Sequence, residues 1–248
     1  MAAHTQKIIW QYWETRDFKP RYIDGLLEIA RRVGGVEIVL VTPENLGAYL
    51  PNLEDAIHGI ANLAHKADMI RTRLVKRHGG MWLDSDAIVL RDLNGFFDLL
   101  EEHEFVGFNN GCRLASERPW VRVCCFLSRP EGTIISEWVR RQHAKLEQTK
   151  FRWSEIGAEM LNAVCLEHRG RAKILPFERI SPFAAKAVDA FMLKDDKRAQ
   201  QIVEECTMVM LSNASLQKKN IPLHEQTVDE ISAGDTLIAR IMREALAR

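Results

Sequence analysis

No stretch of this sequence approaches the roughly 20 consecutive apolar residues that a membrane-spanning helix needs. The opening residues, MAAHTQKIIW, lack the basic region and apolar run of a secretory signal. Charge of a single sign is missing as well. The 34 basic side chains balance 34 acidic ones, which argues against a general polyanion binder and leaves nucleic acid without a footprint. The five cysteines, Cys112, Cys124, Cys125, Cys165 and Cys206, form an odd set with no CxxC and no paired Cys/His spacing. They read as reduced core thiols, and the expected location is the cytoplasm. No GxSxG, HExxH or GxxxxGK[ST] motif occurs. Repeats, low-complexity tracts and obvious linkers are absent too.

What is present is enough apolar material, 46% of 248 residues, for a sizeable core. The length predicts a single α/β domain with excursions over residues 1–248. Lys7–Trp13 reads as a first strand, Pro20–Val33 as a helix stopped by Gly34-Gly35, and Val36–Val41 as a second strand closed by Thr42-Pro43. Strand, helix and strand with short joints is the pattern of a parallel sheet. A long helix is predicted from about Ile60 to His78, with Leu63, Ala67, Ile70, Leu74 and Val75 on one face. Gly79-Gly80 ends it, and Met81–Leu83 resumes as a strand. Further strands are expected at Glu104–Phe108, Val121–Leu127, Lys173–Leu175 and Thr207–Leu211. Helices are expected at Thr133–Leu146, Trp153–His168 and Gly234–Arg248, the last one amphipathic.

The most informative stretch is Met81–Leu90, MWLDSDAIVL, where Asp84 and Asp86 stand between two apolar runs. On an extended segment, carboxylates at i and i+2 point to the same side and can reach one site. A strand end in an open α/β sheet is where ligands bind. Mg²⁺ and Mn²⁺ bind through one or two carboxylates together with substrate phosphate oxygens and water. The pair therefore suits a divalent cation holding a diphosphate, the ion stabilising charge on the departing group. A capped turn is the plain alternative for an isolated pair. Upstream, Asp68 and Arg71 lie three apart on the preceding helix, beside Ala67, Ile70 and Leu74. Charges bordering a core stripe usually need a further partner.

The run ADMIRTRLVKRHGGMWLDSDAIVL resembles the [AS]DxxRxxxxxxxGGxxxDxD signature of the DxD-containing sugar transferases, the family of yeast initiating mannosyltransferases and lactosylceramide galactosyltransferases. It is closer still to their bacterial capsular polysaccharide synthesis relatives, and KIIWQYW is similar to the opening strand of those proteins. The likeness covers residues 1–95 well and thins beyond them. It implies a GT-A (Rossmann-like) fold, with a mostly parallel central sheet flanked by helices. Residues 1–95 would form the nucleotide-sugar half, and residues 96–248 the acceptor half with the terminal helix. It also implies a nucleoside-diphosphate sugar donor, a Mn²⁺ or Mg²⁺ ion, a saccharide or lipid-linked saccharide acceptor, and retention of configuration.

Carried over by the resemblance, Asp86 is the main metal ligand and Asp84 contacts ribose or donor sugar. Asp68 and Arg71 hold sugar hydroxyls, with Arg71 towards the diphosphate. Trp13 stacks on the base, the alternative being Trp10 and Trp13 both as core. Asn109 and Asn110 lie near the active site, and Trp153–Gly157 is similar to the start of a helix flanking the acceptor cleft. Many relatives carry a late His, whereas this chain reads Val209-Met210-Leu211-Ser212-Asn213 there. A thioether suits a hard cation poorly, so Asn213, Ser212, His224 or water is expected to complete the shell.

Two other readings remain open at this stage. Strand-then-DxD, with Asp195-Asp196 as late acids, also resembles haloacid-dehalogenase-type phosphatases. That motif normally sits near the N-terminus and continues with Gly-Thr, not Ala87-Ile88. Met210 motivates the second reading, a catalytically degenerate nucleotide-sugar binder. His58 and His65 could share a helix face but have no clear carboxylate partner. Lys218-Lys219 reads as a solvated loop. Arg240, Arg243 and Arg248 beside Leu237, Ile241 and Met242 read as a packed helix, with peripheral contact at the inner face of a membrane as the minority reading.

Overall fold

The computed structural model of this protein describes residues 6–14, 18–109, 121–148 and 150–248. In chain order its main elements are β1 (Ile8–Tyr12), α1 (Ile23–Val33), β2 (Glu37–Val41), α2 (Leu63–His78), β3 (Gly80–Leu83), β4 (Ala87–Val89), β5 (Phe105–Asn109), β6 (Val121–Ser128), α3 (Thr133–His143), α4 (Met160–Glu167), β7 (Ala172–Leu175), α5 (Asp196–Glu205), β8 (Met208–Met210) and α6 (Leu237–Ala247). Two compact units emerge from this order. One gathers Met1–Thr15, Glu37–Leu83 and Gly95–Leu175, and the other gathers Arg16–Val36, Asp84–Asn94 and Pro176–Arg248.

The first unit is built on a six-stranded sheet in the order β2-β1-β3-β6-β5-β7. β1 pairs parallel with β2 and β3, β6 runs antiparallel to β3 and β5, and β7 is parallel to β5. Only β6 opposes the common direction, so the sheet is mostly parallel. Its strands are rich in β-branched and aromatic residues, which suit a pleated surface. Trp82, Phe105, Phe126, Ile134, Trp138, Leu161 and Val164 build the core with the inner face of α2. Phe126 stacks on Phe105 at 5.7 Å, and Trp138 closes on Phe126 at 5.4 Å.

α2 starts where Asn62 accepts from the backbone N–H groups of Ala64 and His65, at 3.0 and 3.2 Å. It stops at Gly79, with φ of +69°, and Gly80 follows at +95°. A side chain at Gly80 would also sit 2.6 Å from the Ile8 carbonyl oxygen. Paired glycines are therefore what lets the chain turn out of the helix straight into β3 against β1.

The second unit holds a two-stranded antiparallel sheet of β4 and β8, against which α1 and α6 pack. α6 also packs on α5 and buries Leu237, Ile238, Ile241 and Met242. Its arginines are engaged by the protein. Arg240 pairs with Asp196, and Arg243 donates to the Ser232 and Gly234 carbonyls. No helix among the described residues is long and apolar enough to cross a membrane.

Three local expectations are corrected. Asp84 to Asp86 do not continue a strand: β3 ends at Leu83, and Ser85 and Asp86 form a turn before β4. Trp153–His168 is not one helix, because a wide π-type turn over Glu155–Glu159, with non-helical Gly157, precedes α4. His58 and His65 lie on different helices, since a break separates the short helix Asp55–His58 from α2.

Candidate active site

In the second unit, the turn after β3 places Asp86 where two backbone groups hold it. The Leu211 N–H donates to its carbonyl at 3.0 Å, and the Asn213 N–H donates to its carboxylate at 2.7 Å. Ser212, between those donors, adopts left-handed geometry with φ of +56°. Its unusual backbone turns the Asn213 N–H towards Asp86. The Tyr22 hydroxyl, fully buried, donates to the Asn213 side-chain oxygen at 2.8 Å. Burial and then the negative charge of Asp86 push the Tyr22 hydroxyl far above its ordinary value, so it stays a donor. Asp84 and Asp86 are both half-buried, whereas Ser85 between them is buried, and its hydroxyl has no hydrogen-bond partner among the described residues.

The oxygen chemistry here, a carboxylate beside an amide side chain, suits a hard divalent cation. Among the described residues, no three His, Cys, Asp or Glu side chains gather into a metal cage. His224 sits on the short turn Pro222–Glu225, with Phe18 edge-on at 5.6 Å and Glu225 at 3.9 Å. Met210 is 2% exposed and pairs with Ala87 in the two-stranded sheet. Its thioether fills core, which explains a hydrophobic residue at that position. Asp195 caps α5 by accepting from the Arg198 N–H at 2.9 Å, and Asp196 pairs with Arg240. The late acids of the phosphatase reading therefore have structural work. Lys219 pairs with Asp189.

The first unit holds a separate constellation on α2. Asp68, 7% exposed, lies 3.4 Å from the Arg71 guanidinium. Arg71 donates to the Val123 and Ala67 carbonyls at 2.6 and 3.3 Å, and its guanidinium stands 4.9 Å from the Trp82 ring centroid. An arginine so embedded fixes the carboxylate beside it. Gly157 approaches this carboxylate closely: a Cβ there would lie 2.6 Å from Asp68 Oδ2.

Trp13 continues from β1, donates its backbone N–H to Val41 at 3.0 Å, and is half-buried. Its indole N–H is buried with no hydrogen-bond partner among the described residues. Trp10, by contrast, is core, donating to the Gly79 carbonyl at 2.9 Å. Asn109 ends β5, half-buried, and Asn110 lies outside the described residues.

Sequence reasoning missed the other charges buried on α2. Lys66 donates to Glu14 at 2.6 Å, and the Tyr12 hydroxyl donates to the same carboxylate at 3.0 Å. Arg73 pairs with Glu54 at 2.8 Å and donates to Gln142 at 2.7 Å. Their partners are far away in sequence, and no local spacing announces them.

This architecture is that of the GT-A glycosyltransferases. The fold is similar to that of a glycosyltransferase involved in glycosylation of the major capsid of PBCV-1, with a TM-score of 0.51 and 12% identity over 86% of this chain and 98% of that one. It is also similar to the bifunctional glycosyltransferase WbbM, with a TM-score of 0.50 and 11% identity over 97% of this chain and 50% of that one. No curated protein matches the sequence. Residues 2–148 match the family model described as capsular polysaccharide synthesis protein, and the chain belongs to that family.

Proposed function

We propose that this protein is a metal-dependent glycosyltransferase. It moves a sugar from a nucleoside-diphosphate sugar to a hydroxyl of a saccharide or lipid-linked saccharide during capsular or surface polysaccharide synthesis. The observation that carries the reading is Asp86, held from Leu211 and Asn213 directly after a strand of a GT-A sheet. Family membership and fold support the class of reaction, and the carboxylate chemistry of Asp86 supports Mn²⁺ or Mg²⁺.

In this reading Asp86 binds the ion, with the Asn213 side chain beside it, and Asp84 meets ribose or donor sugar. When bound, the cation neutralises charge building on the diphosphate as it leaves. Asp68 accepts from donor hydroxyls, and Arg71 holds that carboxylate in place. Trp13 offers the base an aromatic surface, which favours stacking without selecting one base. Asn109 contributes at the end of β5. Retention of configuration is the expected stereochemistry, readable from the anomeric proton of the product by NMR.

The test is to incubate the protein with a panel of nucleotide sugars and measure released nucleoside diphosphate with and without Mn²⁺. Metal-dependent release that disappears in Asp86→Asn supports the reading. Release indifferent to both metal and Asp86 contradicts it.

A further inference from the structure

Trp153 belongs to the segment between α3 and α4 and is 64% exposed. Large indoles are normally buried because they remove much apolar surface from water. This one is left outside although the chain around it is firmly attached. The Trp153 carbonyl oxygen lies 3.3 Å from His65 Nε2 on α2. The His65 ring tilts 49° to the indole at 6.2 Å, and Phe151 meets the same His65 ring edge-on at 5.6 Å. Three residues on, the Ile156 carbonyl accepts from Trp138 and Gln142 at 2.9 and 3.0 Å. Gly157 then abuts the Asp68 carboxylate. The exposed indole is thus carried on a loop pinned to the helix that bears Asp68.

Polar groups stand in the sequence around it. Arg152 reaches Glu159 at 2.8 Å, and Ser154 donates to the same carboxylate. An exposed aromatic face, with donors and acceptors on residues close to it in sequence, is a combination that fits a pyranose ring. Such a ring has an apolar C–H face and a rim of hydroxyls. We propose that Trp153 is a saccharide platform: a pyranose of the acceptor lies with its C–H face on the indole, and Arg152, Ser154 and Glu159 meet its hydroxyls. The assignment of that sugar to the acceptor rests on the glycosyltransferase reading above. A lipid surface fits less well, because seating it there would strip water from Glu159 and Arg152. A second copy of the chain would need a larger apolar area than one indole supplies.

Saturation-transfer NMR tests this with methyl pyranosides and linear oligosaccharides of glucose, galactose, mannose and N-acetylglucosamine. Samples are run with and without nucleoside diphosphates and Mn²⁺. Ring C–H protons of at least one probe should receive saturation from the wild type. Trp153→Ala should weaken that binding about tenfold, the loss typical of truncating an aromatic anchor. Trp153→Phe should retain most of it, and neither change should lower the melting temperature. Equal transfer in Trp153→Ala, or no transfer to any probe in the wild type, overturns the proposal. So does a Trp153→Ala variant that loses only vesicle binding or self-association. A nucleotide-induced rise in melting temperature without saccharide binding would sink the platform and leave the donor reading standing. Saccharide binding at Trp153 without any nucleotide response would do the reverse.

Discussion

Asp86 is the residue on which the proposed chemistry turns, and its surroundings suggest how to test it. Two backbone donors fix it, and Tyr22 orients the side chain of Asn213. Tyr22→Phe keeps the buried ring but leaves the amide oxygen without that donor. The expected cost is about 1–2 kcal/mol in a denaturant titration, together with weaker Mn²⁺ binding. A stability cost with unchanged Mn²⁺ affinity would show that Tyr22 serves only the core. At Gly157, alanine would press on Asp68. Gly157→Ala should therefore destabilise by about 1–3 kcal/mol and weaken donor binding. Gly170→Ala, which meets open space, should leave binding unchanged. Asp68, Arg71, Asp84 and Asp86 stand out in the sequence because their spacing is local and regular. Gly157 was not legible as a neighbour of Asp68, since nothing in a Ser-Glu-Ile-Gly-Ala run indicates which carboxylate it will touch.

Among the elements, α2 shows most plainly what pattern reading can and cannot see. Its apolar stripe and glycine stop are regular, and Leu63–His78 falls close to the expected span. Yet Lys66, Asp68, Arg71 and Arg73 are also buried on it. Periodicity marks such residues as solvent-facing, and partners such as Glu14, Glu54, Val123 on β6 and Gln142 on α3 allow them inside. Lys66→Met would take the ammonium group away from the buried Glu14 carboxylate. That change should cost about 3–5 kcal/mol, and adding Glu14→Gln should recover much of it. If the single and double variants melt together, the pair is not coupled.

Glu54 gives α2 an acid-sensitive anchor. Burial alone would raise its pKa, but the hydrogen bond from Arg73, a local backbone bond, the Arg73 charge and His143 together lower it from 4.5 to about 2. A depressed carboxylate stabilises the fold above its unfolded pKa. That contribution should fade as pH falls from about 4.5 through about 2. Urea midpoints measured across this window should decline less steeply in Glu54→Gln than in the wild type.

At the scale of the whole molecule, chain order and spatial grouping diverge. Individual strands and helices were readable because each carries its own period and its own stops. The interleaving of three segments into each compact unit is not written in any local pattern, because burial records that a side chain is covered and not by what. The same limit applied to Met210: read along the chain it stands where a metal-binding His was sought, while in the fold it is the partner of Ala87 inside a small sheet.

The central claim is that the protein binds a nucleoside diphosphate through a divalent cation held by Asp86, and thermal unfolding with a panel of nucleoside diphosphates and Mn²⁺ tests it most directly. At about 100 times the dissociation constant, a ligand confined to the folded state adds about 2.7 kcal/mol. For a chain of this size that should raise the melting temperature on the order of 5–10 °C. At least one nucleotide should give such a rise only when Mn²⁺ is present, and Asp86→Ala should lose that rise while still unfolding cooperatively. A full panel that leaves the wild type unmoved, or an Asp86→Ala protein that keeps the whole metal-dependent rise, would contradict it.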